Sequence, residues 1–200
     1  MVKFNTNEGN NPKIRQIAEA GRELFWKFGI KRVSIEEICR LAEVSKVTFY
    51  KYFENKTDLA IYLLDNTFKE SLEVYRELMN REIPFEEKVR EMIRLKLEGT
   101  QDLSDELIKE ILGGTDDKLR AYYADISKVI LSEVVQGFAK AQKDGEVRSD
   151  VKVEFMLFFM GHIMELANDQ RLMSLYGSSR DVIMELLNFF FYGIMPRKGN

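Results

Sequence analysis

Ser34 and Ser45 stand eleven positions apart, each directly ahead of a short run with helical spacing, and serine is a preferred helix-starting residue. Ser34-Ile35-Glu36-Glu37 is moreover a capping box, in which serine and the glutamate three residues on satisfy each other's backbone amides. Starts so close together leave room for a helix of about two turns, a tight turn and a second short helix. Such a pair buries little surface by itself, so it needs a longer helix to brace it. The preceding stretch provides one from Pro12 to Phe28: Asn11 suits the cap, Pro12 the first position, and Ile14, Ile17, Ala20, Leu24, Phe25 and Phe28 mark the buried side before Gly29.

The rest of the chain also repeats its apolar residues at three or four positions, which predicts an all-α protein of nine helices. Two short helices, ending near Leu41 and Tyr52, follow the first. Longer ones are expected from Lys56 through the stripe Ala60, Leu64, Phe68, Leu72, Tyr75, Met79, then at Phe85 to Glu98, Asp105 to Leu112 and Asp117 to Lys143. The last two, Val151 to Leu175 and Ser179 to Met195, are apolar nearly all round. A helix of that kind must be covered on two sides, by its own core and by a second copy of the chain, or else lie deep inside one subunit. The first alternative predicts a homodimer whose interface includes Phe155, Phe159, Leu187, Phe190, Phe191 and Ile194.

Composition removes several classes of function. The longest apolar run, Phe155 to Met160, is far short of the roughly 18 to 20 residues of a membrane span, so no membrane partner is expected. The stretch Met1 to Pro12 is polar and a lone Cys39 forms no internal disulfide; both point to the cytoplasm. With 1 histidine and 1 cysteine, no metal site, no cofactor and no catalytic residues are expected. An oxidase on a helical bundle needs paired Glu-x-x-His motifs, which one histidine cannot supply. His162 and Glu165 are three apart and read as a polar pair or ligand contact. The net charge of -3 conceals a division: residues 1 to 65 carry +2 and the remainder -5.

The basic third is where a nucleic-acid function is legible. A helix-turn-helix places its second short helix in the major groove. Between Ser45 and Lys56 the sequence SKVTFYKYFENK sets lysines, hydroxyls and phenols opposite Phe49 and Phe53, which are four apart and share a face. The spacing I-x-x-A-G-x-x-L-F-x-x-x-G from Ile17, S-I-x-x-I from Ser34, L-A-x-V-S-K-x-T-x-Y-x-Y-F from Leu41 to Phe53, and K-x-x-L from Lys56 resembles the TetR family of bacterial transcriptional regulators.

That resemblance implies a helix-turn-helix DNA-binding domain over residues 1–55 and a ligand-binding and dimerisation domain over 56–200. It implies a repressor released from palindromic operator DNA by a small-molecule effector, apolar or amphipathic. A protein partner in place of the effector is the alternative. Lys46 and Val47 are then expected near the bases, Thr48 at base or phosphate, and Tyr50, Lys51 and Tyr52 towards the backbone, with Ser45 capping their helix. Ser34 and Lys56 are expected to clamp phosphates. Two departures stand out. Glu43 occupies a turn position where the family commonly has glycine, which predicts a strained left-handed residue. Val47 replaces a frequent glycine and would offer a methyl contact to thymine. Tyr75, Met79, Met92, Tyr122, Met156 and His162 are the expected lining of a ligand pocket.

Overall fold

The structure is a computed structural model and describes residues 11–100, 102–114, 116–167 and 169–195. Ten helices occur among them: α1 (Pro12–Phe28), α2 (Ile35–Leu41), α3 (Lys46–Tyr52), α4 (Lys56–Asn80), α5 (Phe85–Thr100), α6 (Asp105–Gly113), α7 (Asp117–Lys143), α8 (Val153–Ala167), α9 (Gln170–Tyr176) and α10 (Ser179–Ile194). The tenth arises because the stretch expected as one helix from Val151 is two. Asp169 has extended backbone and its carboxylate accepts from the Arg171 amide, so a new helix starts there. None of these helices is long and apolar enough to cross a membrane.

The chain divides into two compact units, and the division does not follow the expected boundary at residue 55. One unit runs to Leu72 and adds Asp102–Ile126; the other comprises Glu73–Gln101 and the chain from Ser127 onward. α4 and α7 therefore each contribute to both.

The first unit is organised round α1. Asn11 caps it by accepting from the Lys13 amide, and Ile14, Ile17, Ala20 and Phe25 are buried against Ile38, Phe49, Phe53, Leu59 and Leu63. Gly21 permits this closeness: a Cβ there would lie 2.7 Å from Leu59 Cδ2, so α1 and α4 pack with almost no gap. The second unit has a core of Phe85, Phe138, Ala141, Val147, Met156, Phe190, Phe191 and Ile194. Phe138 is its centre, with Phe85, Phe190 and Phe191 ring centroids at 5.7, 6.0 and 5.9 Å.

Three residues expected at an interface thus lie elsewhere. Phe190, Phe191 and Ile194 belong to the chain's own core, because four consecutive aromatics on a helix must point to different sides and these fall inward. Phe155, Phe158, Phe189 and Tyr192 carry the exposed aromatic surface instead, while Phe159 and Leu187 are half-buried against the core.

Candidate nucleic-acid interface

α2 and α3 are held by capping on both sides of one tight turn. Ser34 accepts from the Glu37 amide at 3.2 Å, while its own amide and hydroxyl both donate to Glu37 Oε2 at 2.8 Å. Those hydrogen bonds from the Ser34 amide and hydroxyl hold the Glu37 carboxyl below its usual range. The box is therefore complete at neutral pH and is lost as pH falls through that depressed value. At the far end of α2 the Val44 amide donates to Cys39 O and the Glu43 amide to Arg40 O, at 3.0 and 3.3 Å. This is a Schellman ending, which requires a left-handed residue after the cap. Glu43 fills it with φ of +51°, the sole non-glycine with positive φ among the described residues.

α3 then starts at Ser45, whose hydroxyl accepts from the Thr48 amide at 3.1 Å and shares a further hydrogen bond with the Thr48 hydroxyl. Phe49 and Phe53 are buried and anchor the helix to the first core. The opposite face is exposed at Lys46, Val47, Tyr50 and Lys51, positions one turn apart in pairs. Val47 is 81% exposed. Tyr50, 54% exposed, stands edge-on to Phe49.

Not every expected contact residue is disposed for that role. Tyr52 is half-buried; its hydroxyl accepts from Asn11 Nδ2 at 3.0 Å, with Lys51 Nζ 5.6 Å from its ring centroid. Ser34 is engaged in its capping box. Lys56 Nζ donates to Lys31 O and Val33 O at 2.7 and 3.0 Å, so its charge holds the turn between α1 and α2. At the start of α4, Asn55 Oδ1 accepts from the Asp58 amide at 2.9 Å.

Sequence reasoning missed Glu110 altogether. Its carboxylate, on α6, accepts from the Ile30 amide at 2.6 Å and from the Lys31 amide at 3.1 and 3.2 Å. Gly29, with φ of +77°, makes the approach possible: a Cβ there would sit 3.2 Å from Glu110 Oε1. The α1–α2 turn is thus gripped on its amides by a carboxylate and on its carbonyls by an ammonium. The two gripping residues lie 80 and 25 positions away from the turn residues they hold, with no local pattern to reveal them.

Of the six expected pocket residues, Met79, Met92 and Met156 come together at the second core, and Tyr75 Oη and Met79 Cε both lie within 3.0 Å of where a Cβ on Gly137 would stand. Met79 and Met92 pack against the second core, where Met156 is buried. Tyr75 lies in the same unit, its hydroxyl pushed up to about 12 by burial and by the nearby Glu133 charge. His162 Nδ1 is 2.6 Å from Phe158 O, and the ring sits 4.1 Å from that of Phe158; the Glu165 side chain lies outside the described residues. Tyr122 belongs to the first unit, with its hydroxyl donating to Asp65 Oδ1 at 3.4 Å. Groups of three or more metal-ligating side chains do not occur among the described residues.

Two capped short helices joined by a Schellman turn and braced by α1 make a helix-turn-helix protein. Residues 17–63 match the model for bacterial regulatory proteins of the tetR family. A curated relative, the HTH-type transcriptional regulator YhgD of Bacillus subtilis, is 29% identical over 122 residues, which cover 60% of this chain and 58% of that protein. The matched stretch is thus little more than half of the relative's length. The fold extends further than the sequence likeness. The regulatory protein TetR from Rhodobacter sphaeroides has a TM-score of 0.71 at 20% identity, with 90% of this chain and 98% of that one covered. FadR from Bacillus subtilis, solved with stearoyl-CoA, has a TM-score of 0.68 at 21% identity over 90% and 98% of the two chains.

Proposed function

We propose that the chain is a homodimeric transcriptional regulator, a repressor that reads a palindromic operator with α3 and is released by a small apolar or amphipathic molecule. The exposed face of α3 supports this most directly. Lys46, Val47, Tyr50 and Lys51 stand on a helix locked in place by Phe49, Phe53, the Ser45 cap and the Glu43 turn. Lysine and tyrosine donate to phosphates and bases, and an exposed valine is suited to a thymine methyl. Palindromic operators follow from two-fold symmetric dimers, whose half-sites lie about one helical turn or a multiple apart. A second copy would cover the exposed Phe155, Phe158 and Phe189. The stearoyl-CoA held by the Bacillus subtilis FadR structure makes a long-chain acyl-CoA the first effector to try.

The test is binding to a duplex selected from a random library and to single-base-pair variants of it. Tyr50→Ala should weaken all of these similarly, as loss of a backbone anchor does, whereas Val47→Ala should relax discrimination at one position per half-site. Identical profiles for the two variants would overturn the assignment of roles. By linkage, an effector that lowers operator affinity by some factor must lose the same factor of its own affinity when operator is present, typically five- to 150-fold. Acyl-CoA titrations with and without duplex read this; equal affinities would remove the induction step and leave DNA binding intact.

A further inference from the structure

The elbow between α6 and α7 is tight. α6 ends at Gly113, and a Cβ on Gly114 would lie 2.2 Å from the Glu110 carbonyl oxygen, so only glycine lets the chain leave the helix by this path. Both arms are seated in the core of the first unit, α6 by the buried Leu107 and α7 by the buried Leu119. Each arm also reaches a different support of the two short helices. From α6, the Glu110 carboxylate holds the Ile30 and Lys31 amides in the turn ahead of α2. At the start of α7, Asp116 accepts from the Leu119 amide at 3.0 Å, and its other oxygen accepts from the Thr57 hydroxyl at 2.7 Å. Lys118 donates to Asp58, whose side chain is only 9% exposed. Thr57 and Asp58 stand in the first turn of α4, the helix that follows α3.

These ties close a ring. The turn at residues 30–33 is joined to α6 through Glu110 and to α4 through Lys56, α4 is joined to α7 through Thr57 and Asp58, and the elbow joins α7 back to α6. α2 and α3 are strung between two points of that ring, the turn before Ser34 and the start of α4 after Phe53. A segment fixed at both ends has only the freedom that its anchors allow. None of Glu110, Asp116 and Lys118 belongs to either short helix, and α7 continues past Ile126 into the second unit.

We infer that the α6–α7 elbow is a positioning device for the reading helix, in which Glu110, Asp116 and Lys118 are positioning residues that tie the placement of α3 to α7. This rests on the homodimeric, DNA-binding reading above and adds to it a route by which a shift of α7 reaches α2 and α3 without passing along α4. The device has a signature that a merely stabilising role lacks. The face of α3 is shaped locally by the Ser45 cap and by Phe49 and Phe53, so a single half-site asks nothing of the elbow. Two half-sites about 34–36 Å apart, or a multiple of that, require both reading helices to be held in place at once.

The full-length chain and its variants, each shown to be folded by a cooperative denaturant transition, are titrated with a selected duplex that carries either the whole palindrome or one half of it. In Glu110→Ala the whole-site affinity should fall about tenfold while half-site affinity stays within about twofold. Glu110→Gln keeps an acceptor oxygen and should lose less, and it carries the test if the alanine variant does not fold. Asp58→Asn combined with Lys118→Met removes the second tie without stranding a buried charge, and should give a whole-site loss of the same kind. Adding Glu110→Ala to that pair should cost less than the sum of the separate losses, because a ring already opened has less to lose. Equal losses on both duplexes would overturn the proposal and leave Glu110 as a plain stabiliser of the fold; unchanged affinities in folded variants would overturn it as well. Wild-type protein that binds neither duplex, or binds the whole site no more tightly than the half, would instead overturn the reading of a dimer on a palindrome, and the proposal with it.

Discussion

Residues 49–53 and residues 189–192 are both aromatic-rich, and the chain uses them in opposite ways. In α3 and its cap two aromatic pairs flank Lys51 and the polar tips of the tyrosines mark the outer side, so Phe49 and Phe53 turn inward while Tyr50 turns out. In α10 four aromatics follow one another, and only packing decides their fates: Phe189 is 76% exposed, Phe190 5% and Phe191 6%. Helical periodicity assigns faces when polar residues mark the solvent side. Where they are missing, the inward direction is set by partners such as Phe138 and Phe159, which stacks on Phe190 with centroids 5.3 Å apart, and those partners are distant in sequence.

The largest effect that breaks or upholds this contrast comes from two neighbouring substitutions. Phe190→Asp puts a charge into the second core and should cost more than about 4 kcal/mol, enough to abolish cooperative unfolding in a denaturant titration. Phe189→Asp should alter subunit stability by no more than about 0.5 kcal/mol yet shift sedimentation from dimer to monomer at micromolar concentration. If the two variants behave alike, α10 has no distinct inward and outward sides, and the covering by a second copy loses its support.

Between these regions the legibility of the sequence also differs. The starts at Pro12, Ile35, Lys46, Phe85, Asp105, Asp117 and Ser179 agree with the structure, because caps and prolines act over two or three residues. The left-handed Glu43 was foreseeable from its place in the turn, and φ of +51° agrees. By contrast, Asp169 is an equally local cap, but the apolar residues on either side of the polar run Asn168-Asp169-Gln170-Arg171 keep a spacing that reads as one continuous helix. Lys56 was assigned to phosphate because of where it sits in the motif, and its actual partners, Lys31 O and Val33 O, are backbone atoms without sequence signature. Glu110 shows the same limit more strongly, since its role depends on α6 folding back onto the turn at Ile30.

Removing that carboxylate gives the next effect in size and tests whether the first unit depends on polar ties as the second depends on rings. In Glu110→Ala the Ile30 amide, on a buried residue, loses its acceptor, and an orphaned group of this kind costs about 1–3 kcal/mol. Glu110→Gln keeps one acceptor oxygen and should lose less. Amide hydrogen exchange at Ile30 and Lys31 reads the change locally; unaltered protection in Glu110→Ala would mean that Lys56 alone holds the turn.

The smallest effect runs in the stabilising direction and isolates a single backbone angle. Glu43 is exposed and positioned by its Schellman hydrogen bonds, so its contribution comes from conformation more than from contacts. A left-handed non-glycine residue costs roughly 1–2 kcal/mol, while glycine would give back part of that gain through the larger freedom of the unfolded chain, roughly 0.5–1 kcal/mol. Glu43→Gly should therefore raise stability by about 0.5–1 kcal/mol, or ~1–4 °C in the melting temperature of a chain of this size. Glu43→Ala has neither the permissive backbone nor the extra unfolded entropy and should be close to neutral. The two variants remove the same charge, so their difference cancels the electrostatic change and leaves the angle. Were Glu43→Gly no more stable than Glu43→Ala, the turn would carry no strain, and the departure from glycine at this position would have cost the reading helix nothing.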